Sequence, residues 1–174
     1  HYCKNLCEAL NVQFTRETIF VTALTGAAAI TVNGQTTARA CKLNNKNIEM
    51  CHKWKHETCL VIVDEISFCN QDQLTTLNKN LNLLCDQPPD CLYGNLAMLF
   101  AGDFSQLPPV KGKNLLEHEF DLWRKGGVNT FLELQTNHRF KRDPHWGLLF
   151  QSLRTNGLTK EQVDVINKRV VTTN

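Results

Sequence analysis

The sequence predicts an α/β fold, an open parallel sheet with helices on both faces. Three observations lead there. Short apolar runs recur along the chain, each ending abruptly in polar, Gly or acidic residues. Two of these runs are continuously apolar instead of alternating, as in strands covered by helices on both sides. Segments of helical periodicity lie between them, and strand–helix alternation is the pattern of a parallel sheet.

Taken in order, residues 1–10 carry Leu6 and Leu10 four apart and read as a helix. Residues 19–23, Ile-Phe-Val-Thr-Ala, form the first run and stop at Thr25-Gly26. The Asn-rich stretch 44–47 reads as a surface loop. Residues 59–63, Cys-Leu-Val-Ile-Val, stop at Asp64-Glu65. Leu74, Leu77, Leu81 and Leu84 then fall on one helical face. Residues 96–101 form the third run and stop at Gly102-Asp103. Residues 130–134 form the fourth, ending near Asn137 and Arg139. Asp143-Pro144 breaks the chain, and Thr159 with Gln162 reads as a capping box ahead of Val163 and Ile166. The expected division is a first domain over 1–134 and the start of a linker or second domain over 135–174.

Composition narrows the classes. At 174 residues the chain can bury one sizeable core. Its 42% apolar and 21% charged content is ordinary for a globular protein. A net charge of +2 is far from that of a protein that coats DNA by bulk electrostatics, so any nucleic-acid contact should be a local groove. No run of about 20 apolar residues is present to span a membrane. Residues 1–10 lack the charged start and apolar stretch of a signal peptide, and the first residue is not Met. The eight cysteines are irregularly spaced with no C-x2-C pair, which argues against zinc and for reduced, partly buried thiols in an intracellular protein.

In open parallel sheets, ligands bind outside the carboxyl ends of the strands. Those ends here carry Thr25, Asp64, Glu65, Asp103, Gln106 and Arg139. Strand ends are polar in any protein, but two adjacent acids, a Gly-Asp and an Arg in such positions point to a site. Val63-Asp64-Glu65 after an apolar run resembles a Walker B box. A carboxylate there can hold Mg²⁺, directly or through water, and the next can polarise an attacking water. Asp64 is the expected metal residue and Glu65 the catalytic base; the bland alternative is an N-cap pair for the next helix. In Gly102-Asp103-Phe104-Ser105-Gln106-Leu107-Pro108-Pro109-Val110, Gly allows a sharp turn and the prolines stiffen the exit. Asp103 and Gln106 can then face the site, and the Gln amide can both donate and accept. A rigid, capped loop is the alternative.

Residues 23–29 (Ala-Leu-Thr-Gly-Ala-Ala-Ala), 63–67 (Val-Asp-Glu-Ile-Ser), 102–110 and 134–140 together resemble the Pif family of superfamily-one DNA helicases, close to the RecD branch. The resemblance implies a RecA-like, P-loop NTPase fold. It implies a motor that hydrolyses ATP with Mg²⁺, moves 5′ to 3′ on single-stranded DNA and opens duplex junctions. Glu65, Gln106 and Arg139 would be catalytic, with Gln106 sensing the terminal phosphate and Arg139 contacting it across a domain cleft. Asp64 and Asp103 would serve nucleotide and metal. Thr25, Gly26 and Thr36 would grip DNA phosphates, helped by Arg39, positioning the strand without reading its sequence. Leu24 stands where the family usually has Pro, and Ala38 where it usually has His. Phe68, Phe104, Phe140 and Trp146 are candidate base-stacking platforms or simply core aromatics. The implied setting is genome maintenance, in nucleus or mitochondrion if eukaryotic, or else in a virus or mobile element.

No G-x-x-x-x-G-K-[ST] occurs in the sequence; Gly112-Lys113 is followed by Asn114. The expectation is a piece of a longer motor, incomplete at its N-terminus and inactive alone. Two rivals remain: a single-stranded-DNA-binding module derived from a helicase, and a two-metal nuclease built on Asp64, Glu65 and Asp103.

Overall fold

A computed structural model describes residues 18–117, 120–134, 138–155 and 157–169. The expected helix over 1–10 lies outside them. The chain divides into two compact units, His1–Asn129 and Thr130–Asn174.

The first unit is built on a four-stranded parallel sheet in the order β2-β1-β3-β4. Its strands are β1 (Ile19–Ala23), β2 (Gln35–Thr36), β3 (Leu60–Asp64) and β4 (Ala97–Phe100). Short helices α1 (Gly26–Thr31) and α2 (Thr37–Ala40) follow the first two strands. The principal helix, α3 (Gln71–Leu84), carries the chain from β3 towards β4. Its Leu74, Leu77, Leu81 and Leu84 are fully buried. They meet Val61 and Val63 of the sheet, together with Trp54, Tyr93, Leu115 and Phe120, in one core cluster. Each such leucine contributes about 2 kcal/mol by leaving water.

Side-chain amides on α3 fix the loops around it. Asn70 and Gln73 form a complete capping box at its start. Asn80 donates to the Cys41 and Lys42 carbonyls, and Asn82 to those of Pro89 and Cys91. Gly94, at φ 67, donates its N–H to Asn82. A Cβ at Gly94 would lie 2.7 Å from the Leu81 carbonyl, so the loop passes too close to the helix for a side chain.

Three expectations need correction. Residues 130–134 form no strand, and Phe131, Leu132 and Leu134 are exposed. A strand is defined by its ladder to a neighbouring strand, which the composition of a short run does not report. The third run is not buried on both faces: Ala97 is exposed and the rest of β4 half-buried, because β4 is an edge strand among the described residues. Cys59 precedes β3 and is exposed.

The second unit contains α4 (Pro144–Thr155) and α5 (Lys160–Asn167). Pro144 opens α4, where its missing N–H costs nothing, and Asp143 accepts from the Trp146 N–H. Thr159 and Gln162 form the expected capping box on α5. Gln162 also donates to Ser152 Oγ at 3.0 Å, joining the two helices. Among the described residues no helix is long and apolar enough to cross a membrane.

Candidate nucleotide and nucleic-acid site

The register of the sheet places the chemistry. Ala23 pairs with Asp64, and Val63 with Phe100, so β1, β3 and β4 end side by side. The ladder runs slightly further: Leu24 N–H donates to the Asp64 carbonyl at 3.1 Å, and Ala101 N–H to that of Val63 at 2.9 Å. Thr25, Asp64, Glu65 and Asp103 therefore leave the same end of the sheet.

Asp64 is half-buried as the last residue of β3. One of its carboxylate oxygens accepts the Glu65 N–H at 3.0 Å. Glu65 sits in the left-handed region at φ 59, ψ 37. For a residue with a side chain this conformation costs about 1–2 kcal/mol. It turns the chain sharply out of the strand directly after Asp64.

The β4 exit is bolted to this turn. Ile66 N–H donates to the Ala101 carbonyl at 2.9 Å. A Cβ on Gly102 would lie 2.9 Å from Ile66 N and 3.1 Å from Ser67 N. Two backbones thus touch where only glycine fits. Asp103 then closes a compact turn: it accepts from Ser105 N–H at 3.0 Å and from the Gln106 amide at 3.3 Å, while its carbonyl accepts the Gln106 N–H. The far end of the loop is tied to the start of α3, where Asn70 donates to the Lys111 carbonyl and Gln71 to that of Asn114, both at 2.8 Å. Gln106, Leu107 and Val110 lie exposed between these anchors.

Thr25 and Thr36 occupy matching places. Each caps a short helix at the end of its strand, accepting from Ala28 N–H at 3.2 Å and Arg39 N–H at 3.4 Å. Gly26 is not demanded by packing, since a Cβ there would meet nothing within 4 Å. Arg39 is exposed on α2. A buried hydroxyl relay sets the spacing of these caps: Thr37 donates to Thr22 Oγ1 at 3.0 Å, and Thr22 to the Ile62 carbonyl at 2.8 Å. No local sequence signal marks this relay, because it joins residues 15 and 40 positions apart.

Arg139 lies in the second unit, exposed, in a turn before α4; Asn137 lies outside the described residues. The aromatic candidates are partly engaged. Phe104 meets Trp123 edge-on, Phe140 stacks on Phe150, and Trp146 lies between Phe150 and the Arg169 guanidinium. Phe68 is half-buried.

A parallel sheet with acids at its strand ends and a helix on its face is the architecture of a RecA-like domain. The model of the PIF1-like helicase family matches residues 3–145, and the chain belongs to that family. It is 28% identical over 149 residues to the ATP-dependent DNA helicase RRM3 of Saccharomyces cerevisiae, a match over 74% of this chain and 20% of the relative. It is 32% identical over 107 residues to the ATP-dependent DNA helicase Pif1 of a Psychrobacter species, over 55% of this chain and 16% of the relative. The chain thus spans about a fifth of the curated relatives it matches. Among solved structures, Pif1 helicase from Candida albicans is similar at a TM-score of 0.68 and 22% identity, over 99% of this chain and 41% of that one. The Bacteroides Pif1 in complex with ADP-AlF3 and single-stranded DNA is similar at 0.66 and 20%, over 99% and 44%. These likenesses carry the RecA-like fold.

Proposed function

We propose that the protein containing this chain is an ATP-dependent DNA helicase, and that the chain supplies the water-activating half of its nucleotide site and part of its strand-binding surface. The observation that carries the proposal is the convergence of Asp64, Glu65 and the Asp103–Gln106 turn at one end of a parallel sheet. Family membership supports it.

The residues present fit a magnesium ion and the outer phosphate of ATP. Asp64, with one oxygen bonded to backbone, would hold Mg²⁺ through water. The ion would neutralise phosphate charge when bound. Glu65, next along the chain at the left-handed turn, would accept a proton from the attacking water. Gln106 orients that water or the terminal phosphate through its amide. Asp103 holds this amide, so a supporting part suits it better than direct coordination. Arg139 would complete charge neutralisation with a permanently charged fork of donors. Thr25, Gly26 and Thr36, with Arg39, would hold the phosphates of single-stranded DNA. Translocation 5′ to 3′, action at duplex junctions, a genome-maintenance role and a nuclear or mitochondrial site in a eukaryote extend the same reading. On it, residues 1–134 are part of the first motor domain, and 135–174 begin the linker or the second.

The sequence carries no phosphate-binding Gly-Lys loop, so the 174-residue chain alone should bind ATP poorly and unwind nothing. The test is DNA-stimulated ATP hydrolysis by this chain and by a longer product of the same message containing a G-x-x-x-x-G-K-[ST]. The expected result is turnover in the longer product only, lost on substitution of Glu65. Salt-sensitive DNA binding indifferent to ATP in the longer product would favour a binding module. Metal-dependent cutting without ATP would favour a nuclease.

A further inference from the structure

Away from the strand ends just described, several thiols lie near the end of α3, with Cys69 at its start. Cys41, Cys51, Cys59, Cys69, Cys85 and Cys91 are free. Cys51 and Cys85 stand apart from the rest because their segments are tied side by side. Cys51 N–H donates to the Leu84 carbonyl at 3.0 Å. Cys85 Sγ donates to the Trp54 carbonyl at 3.5 Å, within the turn that follows Cys51. Lys55 Nζ meets Asp86 Oδ2 at 2.7 Å. A disulfide asks for Cα atoms about 4.4–6.8 Å apart. A backbone hydrogen bond from Cys51 to the residue preceding Cys85 holds the two cysteines at that scale.

The two thiols are unequal. Cys85 is 2% exposed, and burial pushes its thiol up to about 11, with smaller repulsion from Cys91 and Cys51. It is a poor first nucleophile. Cys51 is half-buried, at the start of a turn on the surface, where a small oxidant can reach it. Cys91 is also half-buried and acts on the Cys85 thiol more strongly than Cys51 does, which makes it the competing partner, but its backbone is tied to the Asn82 side chain and not to the residue beside Cys85.

We propose that Cys51 and Cys85 are an oxidisable pair, Cys51 reacting first with a peroxide-class oxidant and Cys85 resolving it to a disulfide. The Cys51 sulfur attacks one peroxide oxygen, the O–O bond breaks and hydroxide leaves, giving a sulfenic acid. The Cys85 sulfur then attacks the Cys51 sulfur, the S–O bond breaks and water leaves with the Cys85 proton. Two thiols and one hydrogen peroxide become one disulfide and two waters. The closed loop contains β3, Asp64 and Glu65, so the crosslink would restrain the unfolded chain and stabilise the segment that carries both acids. The pair does not depend on the motor reading.

The test uses the 174-residue chain with equimolar hydrogen peroxide, followed by alkylation, thiol counting, non-reduced peptide mapping and thermal melting. The expected result is loss of two thiols, one Cys51–Cys85 crosslinked peptide, and a melting temperature raised by several degrees that dithiothreitol reverses. Cys51→Ser should leave Cys85 reduced and the melting temperature unmoved by peroxide. Cys85→Ser should leave Cys51 as a sulfenic acid that dimedone traps; if this core variant fails to fold, the Cys51→Ser arm decides. A crosslink to Cys91 or Cys59, a disulfide-linked dimer, or retention of all thiols would overturn the proposal.

Discussion

At the carboxyl end of the sheet, the chain leaves Asp64 and Asp103 half-buried, Gln106 exposed and Glu65 at a positive φ. At the opposite end, Trp54 stacks on Phe20 at 4.3 Å, and Cys85 and Leu84 are sealed under the turn at Cys51. One helix, α3, runs between the two: its start is a polar cap that ties down the loop after Gln106, and its end is core. The difference shows where the molecule gains stability and where it gives some up. Left-handed residues occur at both ends, Asp86, Tyr93 and Asn95 following α3, but at the carboxyl end one falls on a candidate catalytic residue, Glu65, while the other end supplies buried core.

The comparison is broken most decisively by a substitution that removes chemistry without touching stability. Glu65→Gln, in the longer product with its phosphate loop, should lower DNA-stimulated ATP turnover by about 10²–10⁴-fold, the range for a lost general base. Its unfolding free energy should stay within about 0.5 kcal/mol of the parent, the usual range for a partly exposed side chain. Unchanged turnover would remove Glu65 from the mechanism. Leu81→Ala should do the reverse. It empties a fully buried site on α3 and should cost about 2–5 kcal/mol in denaturant unfolding of the 174-residue chain. A cost below about 1 kcal/mol would mean that the core near Leu81 can collapse, and that the two ends differ less than the burial implies.

Much of this organisation was legible in the sequence. The leucine period gave α3, the apolar runs gave β1 and β3 nearly to the residue, and the Thr159 capping box located α5. These signals are local and repeat along the chain. Strand β2, two residues long, carries no periodicity to read, yet it places Thr36 beside Thr25's strand. The run at 130–134 has strand composition but forms no strand, and a sheet ladder is a property of neighbours, not of the run. At the site, sequence located Asp64, Glu65, Asp103 and Gln106, but not their coupling. The Asp103–Gln106 hydrogen bond depends on how a single turn closes, and the contact of Gly102 with the turn after Glu65 on how two loops distant in sequence meet.

That contact gives the next prediction. Gly102→Ala places a methyl against the Ile66 and Ser67 backbone nitrogens, neither of which can swing away as a side chain would. The expected cost is about 1–3 kcal/mol, typical of overpacking. Turnover in the longer product should fall beyond what stability explains, because the strained loop carries Asp103 and Gln106. Full activity with a stability loss alone would uncouple the glycine from the site.

The smallest effect is expected beside it. Ser67 Oγ is buried and has no hydrogen-bond partner among the described residues. An unpaired buried hydroxyl carries a desolvation cost of about 1–3 kcal/mol that an alanine would not. Against this stands the loss of one oxygen's packing in a tight turn. The two nearly cancel, so Ser67→Ala should change unfolding free energy by no more than about 0.5 kcal/mol, or stabilise slightly. Denaturant unfolding of the 174-residue chain checks it. A loss above about 1 kcal/mol would mean that the hydroxyl is satisfied, and the turn after Glu65 would then be held by a hydrogen bond as well as by strain and close packing.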